Sequence, residues 1–358
     1  MSVRIDKRPV IGLLGAAAAL VLSAGCTAGG TGSPATSSFG GDAQRQSLAR
    51  TVGRGSASVL LPGTALRAGR AAAGPGFDLE PGSAGAIAIS DYANGAIDIF
   101  NASGKMTAQL TGLSGPQGLG ADLKGNLYVA NTNASQIFVY KSFKGTPRTL
   151  NVSGFYPAGV AADIKGNIGV TDICNATSCG QGGITFFNAS GKLIKTLQSN
   201  AIYRAYFGGF DAKGNFFADG ETSSGGGAVV EVKGGASGKS IVALSGFSFG
   251  FPGGVNVEKN GDICIGDQLG GITCYSLEGT TLTPKSTTPL NAGSGVTFTF
   301  TSSEADLRTV SGSSEYEYAF PQGGNPVSSF AVGGDGIGIV TNPTFRPVYS
   351  SDSSDVPA

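Results

Sequence analysis

The chain has 358 residues, with 24 Lys+Arg balanced by 24 Asp+Glu and only 13% charged residues. A protein that sheathes DNA phosphates favours a clear basic excess, so nucleic acid is not an expected partner. There is no His and no Trp, which removes Ser-His and Cys-His nucleophile pairs, His-ligated zinc or iron, and the usual general base near neutral pH.

The first elements read as targeting rather than fold. Arg4, Lys7 and Arg8 form a basic start, and Val10 to Leu22 is an apolar run short of the roughly 20 residues that span a bilayer. It ends in Leu22-Ser23-Ala24-Gly25-Cys26. This order resembles the lipobox of bacterial lipoproteins, and the resemblance covers only these residues. It implies a signal peptide over 1–25, lipidation of Cys26, and a protein anchored at the extracytoplasmic face, cell surface or periplasm. Residues 26–83 are rich in Ala, Gly, Ser and Thr without a sustained apolar period and read as a flexible tether, with a short helix expected over Asp42 to Val52. Residues 344–358 read as a loose tail.

Between these ends, over 84–343, the sequence repeats. Gly118-Leu-Gly-Ala-Asp-Leu-Lys-Gly-Asn-Leu-Tyr-Val-Ala-Asn131 aligns without a gap on Gly159-Val-Ala-Ala-Asp-Ile-Lys-Gly-Asn-Ile-Gly-Val-Thr-Asp172. A shorter copy runs from Gly209 to Asp219, and a fourth from Gly254 to Asp267. Each predicts an apolar strand, a hairpin turn with left-handed residues, and a second strand ending in Asp or Asn. Third strands follow at Ile97–Phe100, Ile137–Tyr140, Ile184–Phe187, Val229–Val232 and Ile272–Tyr275, and weaker outer strands end near Leu110, Leu150, Leu197, Leu244 and Leu290. The strand-ending positions 91, 131, 172, 219 and 267 step by 40 to 48 residues, the period of a four-stranded propeller blade.

A degraded sixth copy covers Val296 to about Val332, and one more strand is expected at Ile337–Thr341. The first copy, Ile87 to Leu110, lacks an inner strand, so Ile337–Thr341 is assigned there. The expected fold is an all-β, six-bladed β-propeller closed by strands from both chain ends. Seven blades is the alternative, because Ile337–Thr341 also resembles a second strand. The repeat is similar to NHL-type and gluconolactonase-like six-bladed propellers over roughly 85–343. The gluconolactonase-like enzymes imply a central divalent ion held by Glu, Asn and Asp. No matching set is found here, since Glu80 lies in the tether, and the His-dependent lyases on related propellers are excluded.

After Cys26, four cysteines remain. Cys264 and Cys274 flank Leu269 symmetrically in an expected hairpin, and Cys174 and Cys179 bracket a short loop, so two local disulfides are expected in an exported protein. A four-thiolate metal site is the alternative.

Candidate ligand-binding residues lie on the face where chains enter the inner strands, called the top. The strand-ending Asp91, Asn131, Asp172, Asp219 and Asp267 are either turn caps or a ring of oxygen ligands for Ca²⁺ or another divalent cation. The aromatics Phe155, Tyr156, Tyr203, Tyr206, Phe207, Phe249 and Phe251 either wedge between blades or form a binding rim. Two long top loops, Cys174–Gly183 and Gly220–Gly227, favour binding. The function expected is a non-catalytic propeller that binds a peptide, glycan or protein partner. The alternative is a metal-dependent hydrolase or lactonase using the carboxylate ring.

Overall fold

The computed structural model describes residues 85–342 except 153, 295, 296, 302 and 303. The expected signal peptide, Cys26, the whole of the expected tether with its helix, and the expected tail therefore lie outside the described residues.

Twenty-two strands form a β-propeller, and the helical content among the described residues is three short 3-10 turns. Four blades are regular four-stranded sheets. Blade two is β4 (Pro116–Ala121), β5 (Leu127–Asn131), β6 (Gln136–Tyr140) and β7 (Arg148–Asn151). Blade three is β8 (Phe155–Ala162), β9 (Ile168–Asn175), β10 (Gly183–Phe187) and β11 (Leu193–Leu197). Blade four is β12 (Arg204–Phe210), β13 (Phe216–Glu221), β14 (Gly227–Val232) and β15 (Val242–Ala243). Blade five is β16 (Pro252–Val257), β17 (Ile263–Asp267), β18 (Ile272–Glu278) and β19 (Thr281–Thr288).

Blade one is composite. It takes β1 (Ala86–Asp91), β2 (Ala96–Phe100) and β3 (Met106–Leu110) from the start of the described chain. It takes β20 (Thr297–Phe300), β21 (Asp306–Ala319) and β22 (Ser328–Asn342) from the end. The expected count of six, or seven, separate blades is therefore corrected to five hydrogen-bonded sheets. The reason lies in β21 and β22. Fourteen extended residues span about 45 Å, yet Phe320 N donates to Ala305 O at 2.8 Å, so β21 doubles back near Gly312. β22 bends likewise, with Ser328 to Ala331 paired to β21 and Gly336 to Asn342 paired to β1. These unbroken strands weld the last copy to the first. Closure by both ends is as expected, with Thr341 opposite Ile87 and Ile339 opposite Ile89.

Six strands meet at the axis, because the composite blade supplies both β20 and the end of β22. The repeat's leading glycine explains how they fit. A Cβ on Gly118 would lie 2.5 Å from Ala158 O, on Gly159 2.8 Å from Tyr206 O, and on Gly254 3.1 Å from Thr297 Cα, in each case backbone of the next inner strand. Hydroxyls stitch two of these junctions. Ser90 Oγ accepts from Gly338 N at 2.6 Å and donates to Gln117 O at 2.7 Å. Thr171 Oγ1 accepts from Gly159 N at 2.9 Å and donates to Tyr206 O at 2.7 Å. Between blades the faces are apolar, as where Phe186, Phe216, Val230 and Ile184 pack together.

Candidate functional site

Inner strands run from the top face to the bottom. The bottom turn of the repeat is built by its Asp. Asp122 Oδ1 accepts from Lys124 N and Asn126 N at 2.9 Å each, and Oδ2 from Asn126 Nδ2 at 2.6 Å. Asp163 and Asp211 repeat this arrangement with Asn167 and Asn215. The glycine of the turn takes the left-handed conformation, with Gly125 at φ +77°. The motif is thus structural, and its second and third residues are left facing solvent.

The strand-ending polar residues at the top each hold a nearby segment. Asp91 Oδ1 accepts from Asn94 N at 3.0 Å, and Asn131 Oδ1 from Ser114 N at 2.6 Å. Asp219 Oδ1 accepts from Phe207 N at 3.0 Å. Asp267 accepts from the amides of Gly250, Phe251 and Leu269 at 2.7, 3.0 and 2.9 Å. Asp172 departs, taking Thr185 Oγ1 at 2.7 Å on the third strand. Asp91 and Asp267 cap their own turns, as expected, whereas Asn131 and Asp219 hold the segment that enters their blade and Asp172 holds the third strand.

Asp172 and Asp219 are fully buried, and one oxygen of each, Oδ1 and Oδ2 respectively, has no hydrogen-bond partner. Burial pushes the Asp172 carboxyl up to about 8, against a smaller opposing effect of the Thr185 hydrogen bond, and holds Asp219 well above the usual carboxylate range. Burial thus disfavours the charged form of both carboxyls. Among the described residues, the acidic and thiol side chains that gather within ligand distance are Glu258, Cys264 and Cys274, and both sulfurs there belong to a disulfide. The two disulfides are the expected ones, Cys174–Cys179 and Cys264–Cys274, with Cα atoms 4.7 and 3.9 Å apart.

The top aromatics divide by burial. Tyr156, Tyr206 and Phe207 pack with Ile173 and Cys174 in the cluster above blades three to five, so their rings serve as wedges. Tyr206 OH donates to the buried Glu221 at 3.1 Å, and Arg204 lies 3.8 Å from the same carboxylate. Burial and this carboxylate raise the Tyr206 hydroxyl well above its ordinary range. What remains at the surface is a ledge over blades four and five. Tyr203, Phe249 and Phe251 are half-buried and Leu269 is exposed. Phe251 stacks on Tyr206 at 5.8 Å, and the Arg204 guanidinium sits 5.7 Å from the Tyr203 ring. Of the six sequence-singled candidates, Tyr203 and Asp267 join this ledge, whereas Tyr156, Tyr206, Asp172 and Asp219 lie inside.

The axial cavity, about 140 Å³, was not expected where it is. Its lining runs from Gly118, Gly159 and Gly254 down to Leu123, Ile164 and Asp211, towards the bottom face. The sequence signal for that face was the recurring tip of the Asp-x-Lys-Gly-Asn turn.

No family model and no curated protein matches the chain. Among solved structures, a protein of unknown function from Bacteroides caccae superposes with a TM-score of 0.52 at 15% identity, over 71% of this chain and 97% of its own. The RRP9 WD40 repeats give 0.47 at 15% identity, over 62% and 68%. A streptogramin B lyase gives 0.45 at 14% identity, over 69% and 74%. At such identities the likeness is one of fold, and the fold of this chain is a β-propeller.

Proposed function

We propose that the chain is an exported, lipid-anchored propeller of the NHL-type and gluconolactonase-like architecture that binds a peptide, glycan or protein partner without catalysis. The observation carrying this reading is the ledge of Tyr203, Phe249, Phe251 and Leu269, presented on a frame locked by Asp267. Half-exposed rings held by buried neighbours suit sugar faces and peptide side chains at low entropic cost. Against the metal-hydrolase alternative stand the fully buried, separately engaged carboxyls of Asp172 and Asp219, one on Thr185 and the other on Phe207 N. The lipobox-like Leu22 to Cys26 supports the anchor.

Two experiments test the proposal. Cys26→Ala should leave the membrane fraction or accumulate as precursor, and a wild type that is soluble with a free Cys26 thiol removes the anchor. Cys26→Ala protein applied to glycan and peptide arrays should give hits that Phe249→Ala/Phe251→Ala loses about tenfold or more. Hits that survive this change, or stoichiometric Ca²⁺, Zn²⁺ or Mn²⁺ binding in equilibrium dialysis, speak for another site or for the hydrolase.

A further inference from the structure

The balanced net charge conceals an uneven distribution of charge around the bottom face. The caps at Asp122, Asp163 and Asp211 put two outward side chains at each bottom turn tip. These are Leu123-Lys124, Ile164-Lys165 and Ala212-Lys213, and all but the half-buried Ala212 are exposed. Third-to-fourth strand turns join the same surface. Gly166 lies beside Ala189, in the turn that ends at exposed Lys192, and Gly234 N, next to exposed Lys233, donates to Asn215 at 2.8 Å. The acids beside these turns are the capping aspartates, already turned into their own backbone, and the half-buried Glu231 near Asp211 and Lys233. Carboxylates collect instead on the blade-five side, at Glu258, Asp262 and Glu304, where Lys259 pairs with Glu304 at 3.8 Å.

The same arc of blades two to four is also apolar. Leu123, Ile164, Leu193 and Ile194 are each exposed by about 40% or more. A groove of about 310 Å³ between the turns of blades three and four is floored by Ile164, Ile194, Ala212 and Ala236 and flanked by Lys165 and Lys213. Apolar tips interleaved with lysines are the chemistry of a surface that rests in a lipid headgroup layer. The chain itself points the same way. Gly85 N donates to Asn342 O at 2.8 Å, and Asn342 lies against Gly125 in the turn that carries Lys124. The described chain therefore begins and ends at this face.

We propose that the bottom face of blades two to four docks on an anionic phospholipid bilayer, leaving the aromatic ledge facing away from it. The face acts independently of any lipid on Cys26, so the two fail separately. Full-length Cys26→Ala protein is sedimented with vesicles of phosphatidylcholine, with and without phosphatidylglycerol. It should bind only the phosphatidylglycerol vesicles and be released by high salt. Each lysine near such a surface contributes about fivefold, so Lys124→Gln/Lys165→Gln/Lys213→Gln should weaken partitioning by about a hundredfold. Lys285→Gln, on the outer strand β19, should change nothing. Leu123→Ser/Ile164→Ser should weaken binding with the salt dependence retained. Unchanged melting curves establish that the variants fold. Equal binding to both vesicle types, no binding to either, or a triple variant that binds like its parent overturns the docking face. Binding to an acidic polysaccharide but not to phosphatidylglycerol does so too. Mass spectrometry of Cys26 in the wild type decides the anchor alone.

Discussion

Substituting Gly118 by Ala tests the contact on which ring closure depends. The new methyl would sit 2.5 Å from Ala158 O and 2.6 Å from Gly159 Cα. Both are backbone atoms of β8, which is itself held by β9 and backed by β12, so neither withdraws cheaply. Overpacking of this kind costs up to about 3 kcal/mol. Reduced freedom of the unfolded chain returns about 0.4–1 kcal/mol. The net loss is about 2 kcal/mol, which in a domain of this size lowers Tm by about 4–8 °C. Gly333→Ala is the matched control, because it is exposed, lies in β22, and its Cβ would meet nothing nearer than Asp98 Oδ2 at 3.6 Å. It should leave Tm unchanged or raise it slightly. Thermal melts followed by circular dichroism read both. Equal effects from the two substitutions would refute the idea that inner strands are spaced by the repeat's glycine.

Removing residues 331–358 strips the inner strand from β1 and should destabilise the whole domain, whereas removing residues 27–72 should leave Tm almost unchanged. The opposite ranking would show that closure is not cooperative. Asp172 holds its proton in the folded state up to about pH 8 but loses it near 3.9 when unfolded. Its contribution is therefore fully present below about pH 4 and declines as pH rises through 8. Denaturant titrations should find the protein more stable at pH 5 than at pH 8, with a shallower decline in Asp172→Asn, and an unchanged slope would place the effect elsewhere. Non-reducing peptide mapping should recover Cys174 with Cys179 and Cys264 with Cys274. Cys264→Ala/Cys274→Ala should cost about 2 kcal/mol in chemical denaturation, and a cross-linked peptide joining the two pairs would contradict the blade register.

Much of the fold was legible because the repeat encodes local structure directly. The Asp-x-Lys-Gly-Asn turn fixes hairpin register, and the disulfide between Cys264 and Cys274 follows from their symmetric placement about the turn. The pairing of Ile337–Thr341 with β1 was legible by elimination, since one strand lacked a partner. Sheet continuity was not, because it depends on whether β21 and β22 break or merely bend at Gly312 and near Gly334, and glycine permits either. The site was less legible still. Tyr156 and Tyr206 look like rim residues in a loop-like stretch, yet both are drawn inside by the packing of three blades, which no local pattern records. The face carrying Lys124, Lys165 and Lys213 was hidden by a different mechanism. Summed charge is blind to which blade's turn each residue occupies.

The hydrogen bond from Gly85 to Asn342 has a mechanical consequence. β1 and β22 are antiparallel, so both ends of the described chain leave from the same end of one strand pair. A force applied between those two ends would peel the pair open one bond at a time. A pull delivered through residue 85 against a load held on the opposite face acts differently. It draws β1 along its own length between β2 and β22, and the five paired positions on each side resist together in shear. The molecule is thus strong along the line from residue 85 to the ledge and weak between the two ends of the described chain.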